Sequence, residues 1–193
     1  MARRGSGAGA ARTLVVYYSR SGHTRRIAEE VAAALGADLE EIREPGDRSG
    51  LFGYARCALE ALFGASAEIG APRRDPSGYE QVVVGTPVWY AAVSTPVRTY
   101  LWVERPRLPR VAFFLTHGGF GRERVLGQMS ALAGQRPVAE LALRLREIES
   151  GEHREKVASF ARSLRSGPAR AAERPPRKGA ASRGRGSRGR GPP

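Results

Sequence analysis

The chain has 193 residues, 41% of them apolar, and its 32 Lys and Arg against 19 Asp and Glu give a net charge of +13. A lone cysteine, Cys57, excludes an intrachain disulfide and a cysteine-ligated metal or iron–sulfur centre, and no apolar run approaches the ~18 residues that span a bilayer. The charge is concentrated at the ends, +3 over residues 1–12 and +7 over 167–193, so the intervening 13–166 carries only +3.

That division predicts a basic flexible N-terminus, one compact domain over 13–166, and a disordered Arg/Gly/Pro-rich tail over 167–193 with too little apolar surface to offset its ordering entropy. The opening Met1-Ala-Arg-Arg resembles the charged start of a secretory signal, but Leu14–Tyr18 is too short for a signal core, so a cytoplasmic protein is expected.

Thr13–Tyr18 is a β-branched and aromatic run that ends in polar residues, the pattern of a buried strand delivering a loop. From Thr24 the period changes: Ile27, Val31 and Leu35 recur every four residues beside Ala28 and Ala32, and Gly36 follows as a left-handed stop, so a helix is predicted. Ala37–Arg43 reads as a polar strand at a sheet edge. Ser49–Phe63 has helical spacing, and a Gly/Pro/Arg loop runs from Gly64 to Gly78. Gln81–Thr86 and Val111–Thr116 are apolar throughout, as strands buried on both faces of a parallel sheet are. Short helices are predicted at Pro96–Val103 and Glu123–Ala133, a fifth strand at Val138–Leu145 and a last helix at Glu152–Leu164. Alternation of this kind makes a doubly wound α/β fold with helices on both faces and right-handed crossovers.

In such a sheet the ligand crevice lies at the carboxyl ends of the strands. The first of these ends, Ser19-Arg20-Ser21-Gly22-His23-Thr24, offers three hydroxyls, a glycine that lets the backbone curl, and a helix starting directly behind it. Amides at a helix N-terminus attract an anion, so this loop reads as a phosphate cradle. The spacing is neither a dinucleotide fingerprint nor a Walker loop, which favours a monophosphate. Trp89 and Tyr90 follow the third strand, and two adjacent aromatics cannot both point inward along an extended segment, so at least one meets ligand or solvent. Gly118 and Gly119 allow close backbone approach after the fourth strand. His23 and His117 are expected as ordinary loop residues within reach of the same ligand, and His153 as a surface residue.

The stretch Thr13-Leu-Val-Val-Tyr-Tyr-Ser-Arg-Ser-Gly-His-Thr-Arg-Arg-Ile-Ala28 resembles the phosphate loop of flavodoxins, whose pattern is Thr/Ser-x-Thr/Ser-Gly-x-Thr. Gly85-Thr-Pro-Val-Trp89 is similar to that family's second FMN loop, Ser94–Leu101 to the helix after it, and Thr116-His-Gly-Gly-Phe-Gly121 holds the place of the third. The insert Gly50–Arg56 resembles the second helix of small bacterial members. The resemblance implies a flavodoxin-like five-stranded parallel sheet of order 2-1-3-4-5, the order known for that fold. It implies FMN held by Ser19, Arg20, Ser21, Gly22, His23 and Thr24, by Thr86, Pro87, Val88, Trp89 and Tyr90, and by Thr116, His117, Gly118, Gly119 and Phe120.

The implied activity is electron transfer through a noncovalent flavin with redox partner proteins. An NAD(P)H-dependent FMN oxidoreductase acting on quinone-like acceptors is the alternative. Typical electron-shuttling flavodoxins are acidic whereas this chain is basic, so complementary steering selects an acidic partner. Many members also carry a glycine beside the stacking aromatic, where this sequence reads Trp89-Tyr90-Ala91-Ala92. The Arg/Gly tail adds a second alternative, a flavoprotein tethered to nucleic acid, although a charge block is more commonly a solvated tail.

Overall fold

A computed structural model describes residues 12–44 and 69–166. The helix expected over 49–63, the N-terminus expected to be flexible and the tail expected to be disordered lie outside the described residues.

The chain runs β1 (Thr13–Tyr17), α1 (His23–Leu35), β2 (Asp38–Glu41), β3 (Gln81–Trp89), β4 (Ala92–Val93), α2 (Thr95–Glu104), β5 (Arg110–His117), α3 (Arg122–Ala133), β6 (Glu140–Arg144), α4 (Leu145–Ser150) and α5 (His153–Arg165). Five strands pair in parallel in the spatial order β2-β1-β3-β5-β6, which is the order 2-1-3-4-5 once the two-residue β4 is set aside. β4 was not expected: it folds back antiparallel on the end of β3, pairing Val88 with Val93 and Trp89 with Ala92.

Burial explains which segments are central. β1 is buried at every residue, β5 at all but its first and β3 from Gln81 to Thr86, because both their faces are covered. On one face Val15, Val83, Ala112 and Phe114 pack against Ile27, Val31, Val157 and Phe160 of α1 and α5. On the other, Leu14, Val84, Phe113 and Leu115 pack against Val97 and Leu101 of α2 and Val125 and Met129 of α3. Each such side chain removed from water contributes roughly 1.5–3 kcal/mol. Gly85 has a packing reason: an added Cβ would lie 2.0 Å from the Phe114 ring. The polar β2 is an edge strand, as its charges required.

Two expectations need correction. The segment read as a strand through Leu145 stops at Arg144, and α4 begins at once, its start fixed by the Arg144 amide donating to Glu147 Oε2 at 2.8 Å. His153 is not a surface residue. It is fully buried, with Nε2 2.9 Å from Glu30 Oε2 on α1 and Nδ1 3.1 Å from the Glu147 carbonyl oxygen. Among the described residues no helix is long and apolar enough to cross a membrane.

Candidate functional site

The neighbouring strands β1 and β3 feed opposite faces of the sheet: β1 leads to α1 on one side and β3 leads through β4 to α2 on the other. Their loops therefore diverge at their carboxyl ends and leave a crevice between them, with the loop after β5 alongside.

The loop after β1 has the features expected of an anion cradle. Gly22 is the N-cap of α1 with φ 90°, a left-handed conformation that disfavours any residue with a Cβ. No side chain caps the helix. The α1 first turn thus keeps its positive amide end available behind exposed Ser21 and half-buried Ser19. Within the loop the Gly22 amide donates to Ser19 Oγ at 3.2 Å, and Ser21 Oγ lies 3.0 Å from His23 Nδ1. His23 Nε2 faces Glu149 of α4 at 3.6 Å. Arg20 is exposed beside them.

The threonines have a different environment. Thr24 is buried, its hydroxyl 2.9 Å from the buried Thr116 hydroxyl, which ties the first turn of α1 to the end of β5. Thr86 is fully buried; its hydroxyl lies 3.0 Å from Ser94 Oγ and accepts the Ser94 amide at 3.2 Å. That pair closes the β3–β4 turn onto the start of α2. Three hydroxyls that the sequence pointed at a ligand therefore also hold the crevice walls at a fixed spacing.

β3 is longer than its apolar run indicated, continuing through Pro87 and Val88 to Trp89. The Trp89 ring is half-buried and meets Tyr18 edge-on, with centroids 5.6 Å apart at 88°. Tyr90 is 98% exposed, as the adjacent-aromatics argument required of one of the two. Tyr90 and Ala91 turn the chain at φ 47° and 58°, a left-handed pair without glycine.

The third loop holds exposed Gly118 and Gly119 and the 70% exposed Phe120. It ends at Gly121, the left-handed N-cap of α3 at φ 86°, where an added Cβ would stand 2.7 Å from Ala91 Cα. The second and third loops thus touch through that glycine. His117 belongs to β5 rather than to this loop and is only 6% exposed. Burial, helped by the Arg144 charge, pushes its pKa below the usual histidine value, and its Nδ1 has no hydrogen-bond partner among the described residues. No three His, Cys, Asp or Glu side chains among the described residues are grouped to hold a metal ion.

An open doubly wound sheet, with an uncapped hydroxyl-bearing helix start at its switch point and aromatic residues on the two flanking loops, places the protein among the α/β proteins whose ligand crevice is made of three strand-end loops. The family model described as Flavodoxin matches residues 12–134, and the chain belongs to the flavodoxin family. Its fold is similar to that of a flavoprotein from Lactobacillus acidophilus solved in complex with FMN, at 24% identity and TM-score 0.58 over 73% of this chain and 98% of that one. It is also similar to oxidised flavodoxin 2 from Bacillus cereus, at 19% identity and TM-score 0.52 over 80% and 97%.

Proposed function

We propose that residues 13–166 hold one FMN noncovalently in the three-loop crevice and that the protein transfers electrons through it. The observation that carries this reading is the bare N-terminus of α1: a thirteen-residue helix whose left-handed Gly22 N-cap brings no capping side chain, preceded by Ser19, Ser21 and the Arg20 guanidinium. A phosphate supplies the missing cap, and the helix end adds about half a unit of positive charge.

When bound, FMN supplies the redox chemistry of its ring system. The chain's own residues do the rest. Ser19, Arg20, Ser21, Gly22, His23 and Thr24 would bind the phosphate. Thr86 to Tyr90 and Thr116 to Phe120 would flank the ring, with Tyr90 and Phe120 offering the most exposed aromatic surface and Trp89 backing them from its seat against Tyr18. The L. acidophilus flavoprotein of similar fold was solved in complex with FMN, which supports the reading. The net positive charge steers the complex toward an acidic redox partner.

Titration of full-length protein with FMN at micromolar concentration is expected to quench flavin fluorescence at one equivalent, whereas riboflavin, without the phosphate, binds far more weakly. Ser21→Asp places a carboxylate in the cradle and is expected to weaken FMN binding by roughly 2–3 kcal/mol, about 30- to 150-fold. Fluorescence unaltered by the wild type, or Ser21→Asp binding FMN as the parent does, would overturn the assignment.

A further inference from the structure

His23, the first residue of α1, stands between two side chains. Its Nδ1 lies 3.0 Å from Ser21 Oγ in the loop before the helix, and its Nε2 faces Glu149 Oε1 of α4 at 3.6 Å. The imidazole is partly buried and the Glu149 carboxylate mostly exposed. α4 is fastened at this point by Arg26, which donates from a terminal nitrogen to the Ile148 carbonyl at 3.1 Å, so Glu149 is presented to the start of α1 by a helix docked against it.

A neutral imidazole has one N–H and one bare nitrogen. An ionised carboxylate only accepts, so Glu149 favours the tautomer with the proton on Nε2 and leaves Nδ1 bare. A bare Nδ1 accepts from Ser21, and the single proton of that hydroxyl is then turned toward the ring and away from any ligand. A second proton, taken from solvent onto Nδ1, reverses the bond. Nδ1–H now donates to Ser21 Oγ, and the Ser21 O–H is released to donate to an anion. The loop therefore offers one more donor when His23 is charged than when it is neutral, and the charge itself also attracts the anion.

We propose that Ser21, His23 and Glu149 form a proton-coupled latch, through which the phosphate of the ligand is bound together with a proton on His23 Nδ1. The proposal rests on the assignment of loop 19–24 to the FMN phosphate. Ser21 supplies the donor, His23 sets the direction in which its proton points, and Glu149 is a positioning residue that acts only through the imidazole. A phosphate dianion and Glu149 both favour the charged ring. Arg20, exposed in the same loop, opposes it until a bound phosphate offsets the guanidinium charge. The other charges on the neighbouring elements are engaged elsewhere or exposed: Arg25 pairs with Glu41, Arg26 with Glu30 at 3.2 Å and Glu147 of α4 with Lys156 at 2.7 Å, while Arg146 of α4 is exposed. On β5, tied to the first turn of α1 through Thr24 and Thr116, burial holds the His117 pKa low, so that imidazole is neutral near pH 7.

The test titrates full-length protein with FMN by calorimetry at about pH 7 in buffers of different ionisation enthalpy, which counts the protons taken up. Kd is then followed by flavin fluorescence from about pH 6.5 to about pH 8.5, where a free phosphate monoester is mostly dianionic. The wild type is expected to take up protons on binding, and its Kd to rise with pH by up to about tenfold per unit. His23→Gln keeps an amide donor for Ser21 Oγ and cannot take a second proton. In that variant FMN still binds, the proton uptake disappears and Kd is level across the interval. In Glu149→Gln the rise in Kd moves to lower pH, by about half a unit. Fluorescence unaltered by the wild type at every pH would remove the FMN assignment and the latch with it. FMN binding without proton uptake, equal uptake in His23→Gln, or an unmoved profile in Glu149→Gln would overturn the latch alone.

Discussion

At the scale of single residues, Tyr90 and Ala91 stand out because both occupy left-handed backbone, where a Cβ costs roughly 1–2 kcal/mol. The sequence concealed this turn, since the chemical signal for positive φ is glycine or asparagine and neither is there. The hairpin with β4 holds it in place, and Gly121, which has no Cβ, leaves room for Ala91 beside it. Ala91→Gly relieves one of the two strained positions. Set against the greater freedom glycine gains in the unfolded chain, it is expected to raise stability by about 0.5–1 kcal/mol, read as a shift in urea midpoint without a change in slope. An unchanged or lower midpoint would mean that the surroundings, not the residue, bear the strain. The hydroxyls of the first loop were legible by contrast, because a strand, a polar hexapeptide with one glycine and an amphipathic helix follow one another without a gap. The sequence could not show that Thr24 and Thr116, ninety-two positions apart, share a hydrogen bond.

At the scale of elements, the five parallel strands and the helices α1, α2, α3 and α5 were legible from period and composition, and the two-residue β4 and six-residue α4 were not. α4 has six residues, too few for a hydrophobic period to register; only its first residue, Leu145, was assigned, to the strand before it. The burial of His153 had a signal that was available: it lies four residues before Val157 and extends the inward stripe of Val157, Phe160, Ala161 and Leu164. The imidazole joins three helices, with Glu30 of α1 on one nitrogen and the Glu147 carbonyl of α4 on the other. Arg26 reinforces the junction, donating from Nε to Glu30 at 3.2 Å and from a terminal nitrogen to the Ile148 carbonyl at 3.1 Å. Since α4 also places Glu149 opposite His23, this junction sets the distance between the last helical layer and the anion cradle. His153→Ala leaves a cavity and removes both contacts, at an expected cost of about 2–4 kcal/mol in chemical denaturation. A variant as stable as the parent would show that packing elsewhere fixes α4.

At the scale of the whole molecule, the spatial strand order came from the resemblance rather than from periodicity, because no local pattern encodes which strand lies beside which. The pH dependence of stability is likewise a property of the assembled fold. Three carboxyls are held below their ordinary range by hydrogen bonds: Asp38 by Tyr79, Asp75 by the Ser77 amide, and Glu147 by Lys156. Each favours the folded state once ionised, so its contribution is present above the ordinary carboxyl value and disappears as pH falls below it. His117 acts in the same direction at higher pH. Burial depresses its pKa, the unfolded chain binds the proton more readily, and stability falls as pH drops from about 6.5 toward the lower folded value. Glu104 opposes both: burial raises its pKa despite the nearby Arg107, so the folded state binds the extra proton and loses that advantage as pH rises above the ordinary glutamate value. The expected profile therefore rises with pH on the acid side in two stages, with Glu104 reducing the gain in the interval between them. In His117→Gln the stage just below about pH 6.5 flattens while the lower, carboxyl stage remains. Urea midpoints taken across that interval in both proteins check this directly, and parallel curves would assign the upper stage to some group other than His117.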